Sequence, residues 1–309
     1  FESIRPFIKF ITYSIHSIKF EEITRNTNVN FIYKIDICSK KDSKTIFLKQ
    51  ARNYIKKSGQ KFNPERIFYE YKTLNKFEKI LGKNIVPYVY YFDHTNYIML
   101  MSDIKNNGEL LEDVFNRGDL CTRVALKYGS IVGKLHSATY DQQEISRDAQ
   151  GEMEVKKFML DFFKTAGARK FDERAVNELL HDSSMVKTSI LGVDFTSKNI
   201  FVDGNDIRFF DFEGVFRGDP AFDMGHALSD YFLRAENSPN LWDDVLIVIN
   251  DFVRGYRRSF DIVKDDWNNL EKRAVKYLGM FMLHRSDGIS KFRFLSESAK
   301  KIIRKHAVN

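Results

Sequence analysis

Cysteine is scarce in this 309-residue chain: Cys38 and Cys121 are the only two, with no CxxC spacing. Two isolated thiols exclude a disulfide-stapled scaffold and fit a reducing compartment, so the expected location is cytoplasmic. No run approaches the roughly 18 consecutive apolar residues that a membrane-spanning helix needs. The opening FESIRPFIKFITYSIHS is broken by Glu2, Arg5, Pro6, Lys9 and His16, which reads as neither signal peptide nor anchor. No His/Cys cluster has zinc-ligand spacing, no G-x-G-x-x-G is present, no repeat recurs and no segment is of low complexity.

What is present is a globular composition, 43% hydrophobic, 29% charged and 14% aromatic. At roughly 150 residues per domain the length suits two domains or lobes. The net charge of +7 is uneven, because the first hundred residues hold 18 Lys and Arg against 9 Asp and Glu. Their lysines are scattered among strand-like and helix-like segments and form no dense arm. The pattern therefore argues for a lobe that handles a nucleotide-like polyanion and against nucleic acid as the partner.

In residues 1–103, the segments 18–24, 30–38 and 45–51 are β-branched and aromatic runs that read as consecutive antiparallel strands. An amphipathic helix is expected over 64–81, with Pro64 in its first turn and Ile67, Phe68, Tyr71, Leu74 and Phe77 on one side. Two more strands follow after Pro87, which makes a five-stranded sheet with one inserted helix. From 104 to 309 the chain turns mostly helical. Helices are expected over 122–139, 154–166 and within three later segments, around a short hairpin made by NIFVD and DIRFF. The aromatic stripe Phe158, Phe162 and Phe163 and the pair Phe281 and Met282 read as core.

The informative stretch is ILGVDFTSKNIFVDGNDIRFFDFEG. Asp194 follows a hydrophobic strand, Asn199 comes five residues later, and a turn with Gly204 at its tip would bring Asn199 and Asp211 to one end of a hairpin. Phosphoryl transfer needs a carboxylate to orient and deprotonate a hydroxyl, and oxygen ligands to hold Mg²⁺ against the phosphates. Asp194 suits the first task; Asn199 and Asp211 suit the second, with Glu213 as an extra ligand. Taken singly, each is a residue that turns favour anyway. Lys49 in the third strand and Glu70 in the following helix would form a buried pair that aims the ammonium at phosphates, with Glu65 as a competing partner. The loop TRNTNVN at 24–30 has turn chemistry suited to covering phosphates with backbone amides.

In that order the residues resemble the aminoglycoside phosphotransferase and choline kinase superfamily from about residue 18 to about 295. The H-G-D-x-x-x-x-N loop appears as Gly192-Val193-Asp194 with Asn199, where Gly192 stands in the place of the usual His. Asp211-Phe212-Glu213 resembles the metal segment, GDPAFDMGHAL at 218–228 the G-D-P-x-x-D segment, and KLHSAT at 134–139 the L-H-S motif. IFLKQARNYIKK, PERIFYEYKTL and VPYVYYFD are most similar to segments of 5-methylthioribose kinases.

The resemblance implies an α+β, two-lobed protein-kinase-like fold, with a small antiparallel-sheet N-lobe bearing one helix and a larger, mainly helical C-lobe. It implies ATP and Mg²⁺ as cofactors, adenine paired with backbone groups of Met101, Ser102 and Asp103, and a small-molecule hydroxyl acceptor such as a methylthioribose-like sugar. The protein would be a monomer or homodimer. An aminoglycoside or choline-type kinase and a non-catalytic nucleotide-binding pseudokinase are the alternatives. Asp219, Asp223, His136 and His226 are expected in structural roles, as helix caps and packing groups. Arg285 and Asp287, beside a glycine turn, suit either an acceptor contact or ordinary capping.

Overall fold

In a computed structural model the described residues are 15–25, 27–39, 43–142, 168–186, 188–260, 267–288 and 291–307. The opening segment, the helix expected over 154–166 and the stripe with Phe158, Phe162 and Phe163 lie outside them. The chain divides into two compact units, Phe1–Asn106 and Asn107–Asn309.

Alternating apolar residues build the first unit. Strands β1 (Ile15–Ile23), β2 (Phe31–Ser39) and β3 (Ser43–Gln50) pair antiparallel in sequence order. With β4 (Val89–Asp93) and β5 (Ile98–Ser102) they form one sheet in the order β1-β2-β3-β5-β4. Period-two alternation puts Ile35, Ile37, Ile46, Leu48, Ile98 and Leu100 into one buried cluster. The turn between β4 and β5 is closed by Asp93, whose carboxylate accepts from the Thr95 and Asn96 amides (3.0 and 3.1 Å).

Helix α1 spans Arg66–Leu81 between β3 and β4, and Ile67, Leu74 and Phe77 are among its buried residues. Pro64 precedes the helix, because Glu65 is already the N-cap. Glycine at the other end, Gly82 with φ 92, ends it by donating to Glu78 O.

The second unit is mainly helical. Its helices are α2 (Leu111–Asn116), α3 (Ala125–Thr139), α4 (Ala168–Ser184), α5 (Pro220–Asn237), α6 (Trp242–Ser259), α7 (Trp267–Asp287) and α8 (Glu297–His306). Helices α3 and α6 approach closely where Gly129 and Gly133 leave no side chain between backbones. A Cβ at Gly133 would lie 2.6 Å from Tyr256 O. Asp219 caps α5 by accepting from the Ala221 amide at 3.0 Å, with Pro220 as the first helical residue. Most of α5 is buried, so polar groups along it have protein neighbours instead of water.

Short strands carry the remaining loops. β7 (Ser189–Leu191) pairs with β10 (Phe216–Gly218), and β6 (Glu109–Leu110), β8 (Ile200–Asp203) and β9 (Asp206–Phe209) form a second small sheet. The β8–β9 hairpin turns at Gly204, whose φ of 56 needs a residue tolerant of the left-handed region. Among the described residues no helix is long and apolar enough to cross a membrane.

Candidate active site

The first unit supplies a buried ion pair. Lys49 lies in β3 between Ile32 of β2 and Met99 of β5. Its Nζ stands 2.9 Å from both Oε1 and Oε2 of Glu70 on α1, and both side chains are only 2% exposed. Glu65 faces elsewhere, within 3.3 Å of the His94 ring and the Tyr97 hydroxyl. Five residues along a helix turn the side chain by about 140°, which separates the two glutamates.

Met101 and Ser102 end β5, where the Ser102 amide is already committed to Tyr88 O at 2.8 Å. The Asp103 carboxylate accepts from the Lys105 amide at 2.8 Å. The loop between β1 and β2 is tied down by its carbonyls, with the Lys56 and Lys57 amides donating to Val29 O and Asn28 O. Asn30, at its end, accepts two hydrogen bonds from the buried Arg66 guanidinium at 3.1 and 2.7 Å.

In the second unit the loop from Gly192 to Asn199 is fixed by side chains from three helices. Asp223 of α5 accepts from the Gly192 and Val193 amides at 2.7 and 3.0 Å. Its Oδ2 also meets His136 Nε2 of α3 at 3.1 Å, and His136 Nδ1 meets the Tyr256 hydroxyl at 2.8 Å. A carboxylate only accepts, so Nε2 of His136 donates to Asp223. Tyr128 of α3 donates to Phe195 O at 2.9 Å, and Ser197 donates to Asp230 of α5. Asp223 was expected to serve its own helix end; it reaches across to the loop because α5 is buried beneath it. Asp219 keeps the capping role.

His226 fixes the loop carbonyl. Its Nδ1 is 2.6 Å from Val193 O and its Nε2 is 3.3 Å from Arg285 Nη2 of α7. A carbonyl accepts and a guanidinium donates, so the ring is neutral with the proton on Nδ1. Burial pushes the His226 imidazolium down to about 3, and the Arg285 charge adds to that shift. The ring stacks on Phe281 at 3.9 Å between centroids. These contacts hold Val193, a β-branched residue, at φ 68, and Asp211 sits at φ 67. Backbone in this region is costly for side chains other than glycine and persists where the surroundings over-determine it.

The Asp194 side chain is 31% exposed. Its Oδ1 accepts from the Thr196 hydroxyl at 3.1 Å, and Lys198 Nζ is 2.7 Å from Oδ2. Arg285 Nη2 lies 4.0 Å from Oδ1. Burial works to raise the carboxyl, but the basic groups around it, Lys198 first among them and then His226 and Arg285, outweigh it and hold Asp194 well below the usual carboxylate range.

The hairpin register sets Asn199 and Asp211 at the same end of the hairpin backbone: Ile200 pairs with Phe209, and the Phe210 amide donates to Asn199 O at 3.1 Å. The Asn199 Nδ2 donates to Asp194 O at 3.1 Å. Glu213 is half-buried two residues past Asp211. Among the described residues no group of three or more His, Cys, Asp or Glu gathers as a metal site. An amide oxygen with two carboxylates fits a hard cation that also binds phosphate oxygens, which is the donor chemistry of Mg²⁺.

Sequence reasoning left Lys198, Asp223 and His226 without functional roles and left Arg285 undecided. Lys198 could have been picked out by its place inside the Asp194 to Asn199 spacing. The other three depend on packing between helices distant in sequence.

No protein-family model matches the chain, and no curated protein matches it either. Solved structures do. An amicoumacin kinase in complex with AMP-PNP, Ca²⁺ and Ami superimposes with TM-score 0.57 at 12% identity, over 99% of this chain and 94% of that one. A choline/ethanolamine kinase family protein from Mesorhizobium loti gives 0.53 at 14%, over 92% and 84%. An aminoglycoside phosphotransferase from Streptomyces rimosus gives 0.53 at 13%, over 92% and 98%. At such identities the likeness is one of fold: the chain has the α+β kinase-like fold of these small-molecule kinases, with an antiparallel N-terminal sheet bearing one helix and a helical C-terminal part.

Proposed function

We propose that the protein is an ATP-dependent kinase of the aminoglycoside phosphotransferase and choline kinase superfamily, transferring the γ-phosphoryl group to a hydroxyl of a small metabolite. The observation that carries this reading is the fixation of the Asp194 loop. Asp223 takes two of its amides, His226 takes its carbonyl, and Asp194 is left half-exposed beside Asn199. Positioning of this kind, more than covalent chemistry by the protein, is what phosphoryl transfer demands.

In this role Asp194 accepts the hydrogen bond of the acceptor hydroxyl and turns its oxygen toward the γ-phosphorus. Its weak proton affinity keeps it ionised at neutral pH, so the proton passes to it only as the new O–P bond forms. Lys49, held by Glu70, engages the α- and β-phosphates, and Met101 to Asp103 supply the backbone groups for adenine. Asn199, Asp211 and Glu213 would hold Mg²⁺, which neutralises phosphate charge when bound. The acceptor read from the sequence is a methylthioribose-like sugar; choline and aminoglycosides are the acceptor types named for the structural neighbours.

The test is ADP release over a panel of hydroxylated acceptors, for the wild type and Asp194→Asn. A positioned base is worth about 10² to 10⁴ in rate, so the variant is expected to lose at least about 10² in kcat while keeping the thermal shift with Mg·ATP. Unchanged turnover in the variant would remove Asp194 from the chemistry.

A further inference from the structure

Each oxygen of Asp194 faces its own cation. Lys198 stands 2.7 Å from Oδ2 and Arg285 Nη2 4.0 Å from Oδ1. An aspartate needs neither cation to be ionised at neutral pH, since its ordinary value is already about 3.9. Stability does not account for Lys198 either, because at 35% exposure its pair with Asp194 is of the kind that contributes little to folding.

The neighbouring carboxylates are committed to other groups. Asp223 holds two amides and His136, and Asp230 holds Ser197 and Arg234. His226, between Arg285 and the loop, is neutral. Arg285 is fixed, with its guanidinium against the Phe292 ring at 5.0 Å and its side chain only 5% exposed. Lys198 reaches Asp194 on a flexible stem and can move off Oδ2 when a hydroxyl arrives there.

We infer that the acceptor is a hydroxylated oxyanion, with a carboxylate or phosphate group close to the hydroxyl that is phosphorylated. This rests on the kinase reading above and narrows it. The fixed Arg285 guanidinium sets positive charge beside Oδ1, which favours an oxyanion there, and Lys198 follows the same group as it leaves Oδ2. An amine acceptor would bring a third positive charge to a carboxylate that already has two. In the step itself the acceptor oxygen forms a bond to the γ-phosphorus and the bond from that phosphorus to the β-γ bridging oxygen breaks. Its electron pair leaves with ADP, and the hydroxyl proton goes to Asp194 Oδ2 and then to water.

The test uses matched acceptors on one polyol skeleton: the neutral polyol, its carboxylate, its phosphate ester and its amine. ADP release is expected with at least tenfold higher kcat/KM for the carboxylate or the phosphate ester than for the polyol, and least for the amine. The carboxylate and ester arms identify which oxyanion is recognised. Lys198→Gln, at a partly exposed position, and Arg285→Gln should each reduce the oxyanion-to-polyol ratio at least tenfold. If the cations served only the transferred phosphoryl group, both variants would lower kcat equally for every acceptor and leave the ratio intact, which overturns the inference.

A second readout does not need turnover or a folded Arg285 variant. A deoxy carboxylate that lacks the reactive hydroxyl should bind the wild type in calorimetry and bind Lys198→Gln at least fivefold more weakly. Equal binding to both would reject the assignment. Preference for the amine or the polyol overturns the oxyanion while leaving the kinase reading in place. Absence of ADP release with every member and of any Mg·ATP thermal shift overturns both.

Discussion

The ring of Phe195 occupies the space that any side chain at Gly192 would need: a Cβ there would lie 2.1 Å from Phe195 Cζ. In the motif this loop resembles, a histidine stands at that position. Here an aromatic ring from three residues later lies in its place, with Phe209 at 5.2 Å and Phe212 at 6.3 Å between centroids. The ring thereby links the Asp194 loop to the segment that bears Asp211.

Removing that ring or filling its space should each be damaging, and the two changes should compensate. Phe195→Ala empties a buried aromatic site and is expected to cost about 3 to 5 kcal/mol. Gly192→His forces a ring into occupied space and is expected to cost at least about 1 to 3 kcal/mol. In the double variant the new imidazole has room, so its loss should be clearly smaller than the sum. Chemical denaturation of the four proteins measures the coupling, and additive losses would show that the two positions do not share one space.

The Lys49–Glu70 pair should behave as a buried pair does. Glu70→Ala leaves an ammonium without its carboxylate in a nearly dry site, and a loss of about 3 to 5 kcal/mol is expected in urea unfolding. Lys49→Met combined with Glu70→Leu replaces both charges by apolar groups and should cost much less. If the double replacement is as damaging as Glu70→Ala, charge burial is not what makes the single change costly.

Much of this was legible in the sequence because it depends on local rules. Period-two alternation placed the five strands, turn chemistry placed Gly204 at the hairpin tip, and the hairpin register then set Asn199 and Asp211 at the same end of the hairpin. The choice between Glu65 and Glu70 was left open by the sequence, because strand-to-helix geometry decides which face of α1 meets β3. The grip of Asp223 on Gly192 and Val193 was not legible. It joins residues about thirty apart through the docking of α5, and a carboxylate one turn into a helix after G-D-P reads locally as a cap. Arg285 was visible as a residue near a glycine turn, but its distance to Asp194 follows from how α7 packs.

The two cysteines should differ sharply toward thiol reagents. Cys121 is buried and its thiol is pushed up to about 11 by that burial, so it holds almost no thiolate at neutral pH. Cys38 is partly exposed on the first unit's sheet. A colorimetric disulfide reagent should titrate at most one thiol per native chain at pH 8, and two in concentrated guanidinium. Two thiols reacting at equal rates in the native protein would contradict the burial of Cys121.

His226 should make acid pH destabilising well above the range in which carboxylates titrate. Its imidazolium is pushed down from 6.5 to about 3 in the folded protein, by burial first and then by Arg285, while Asp194 opposes the shift. Between those two values the unfolded chain binds a proton that the folded chain refuses. Stability therefore rises with pH across this window: the contribution is complete above about 6.5 and is lost progressively as the pH falls toward 3. One such proton gives a slope approaching about 1.4 kcal/mol per pH unit. His226→Phe keeps a ring against Phe281 but loses the hydrogen bond to Val193 O, so it should be less stable than the wild type at pH 7. Since the variant lacks the proton-linked loss, the gap between the two unfolding free energies should narrow from pH 7 to pH 4.5, where Asp194 remains ionised. A gap that stays constant over that range would mean that His226 takes up its proton in the folded protein as readily as in the unfolded chain, and the neutral ring linking Val193 to Arg285 would have to be abandoned.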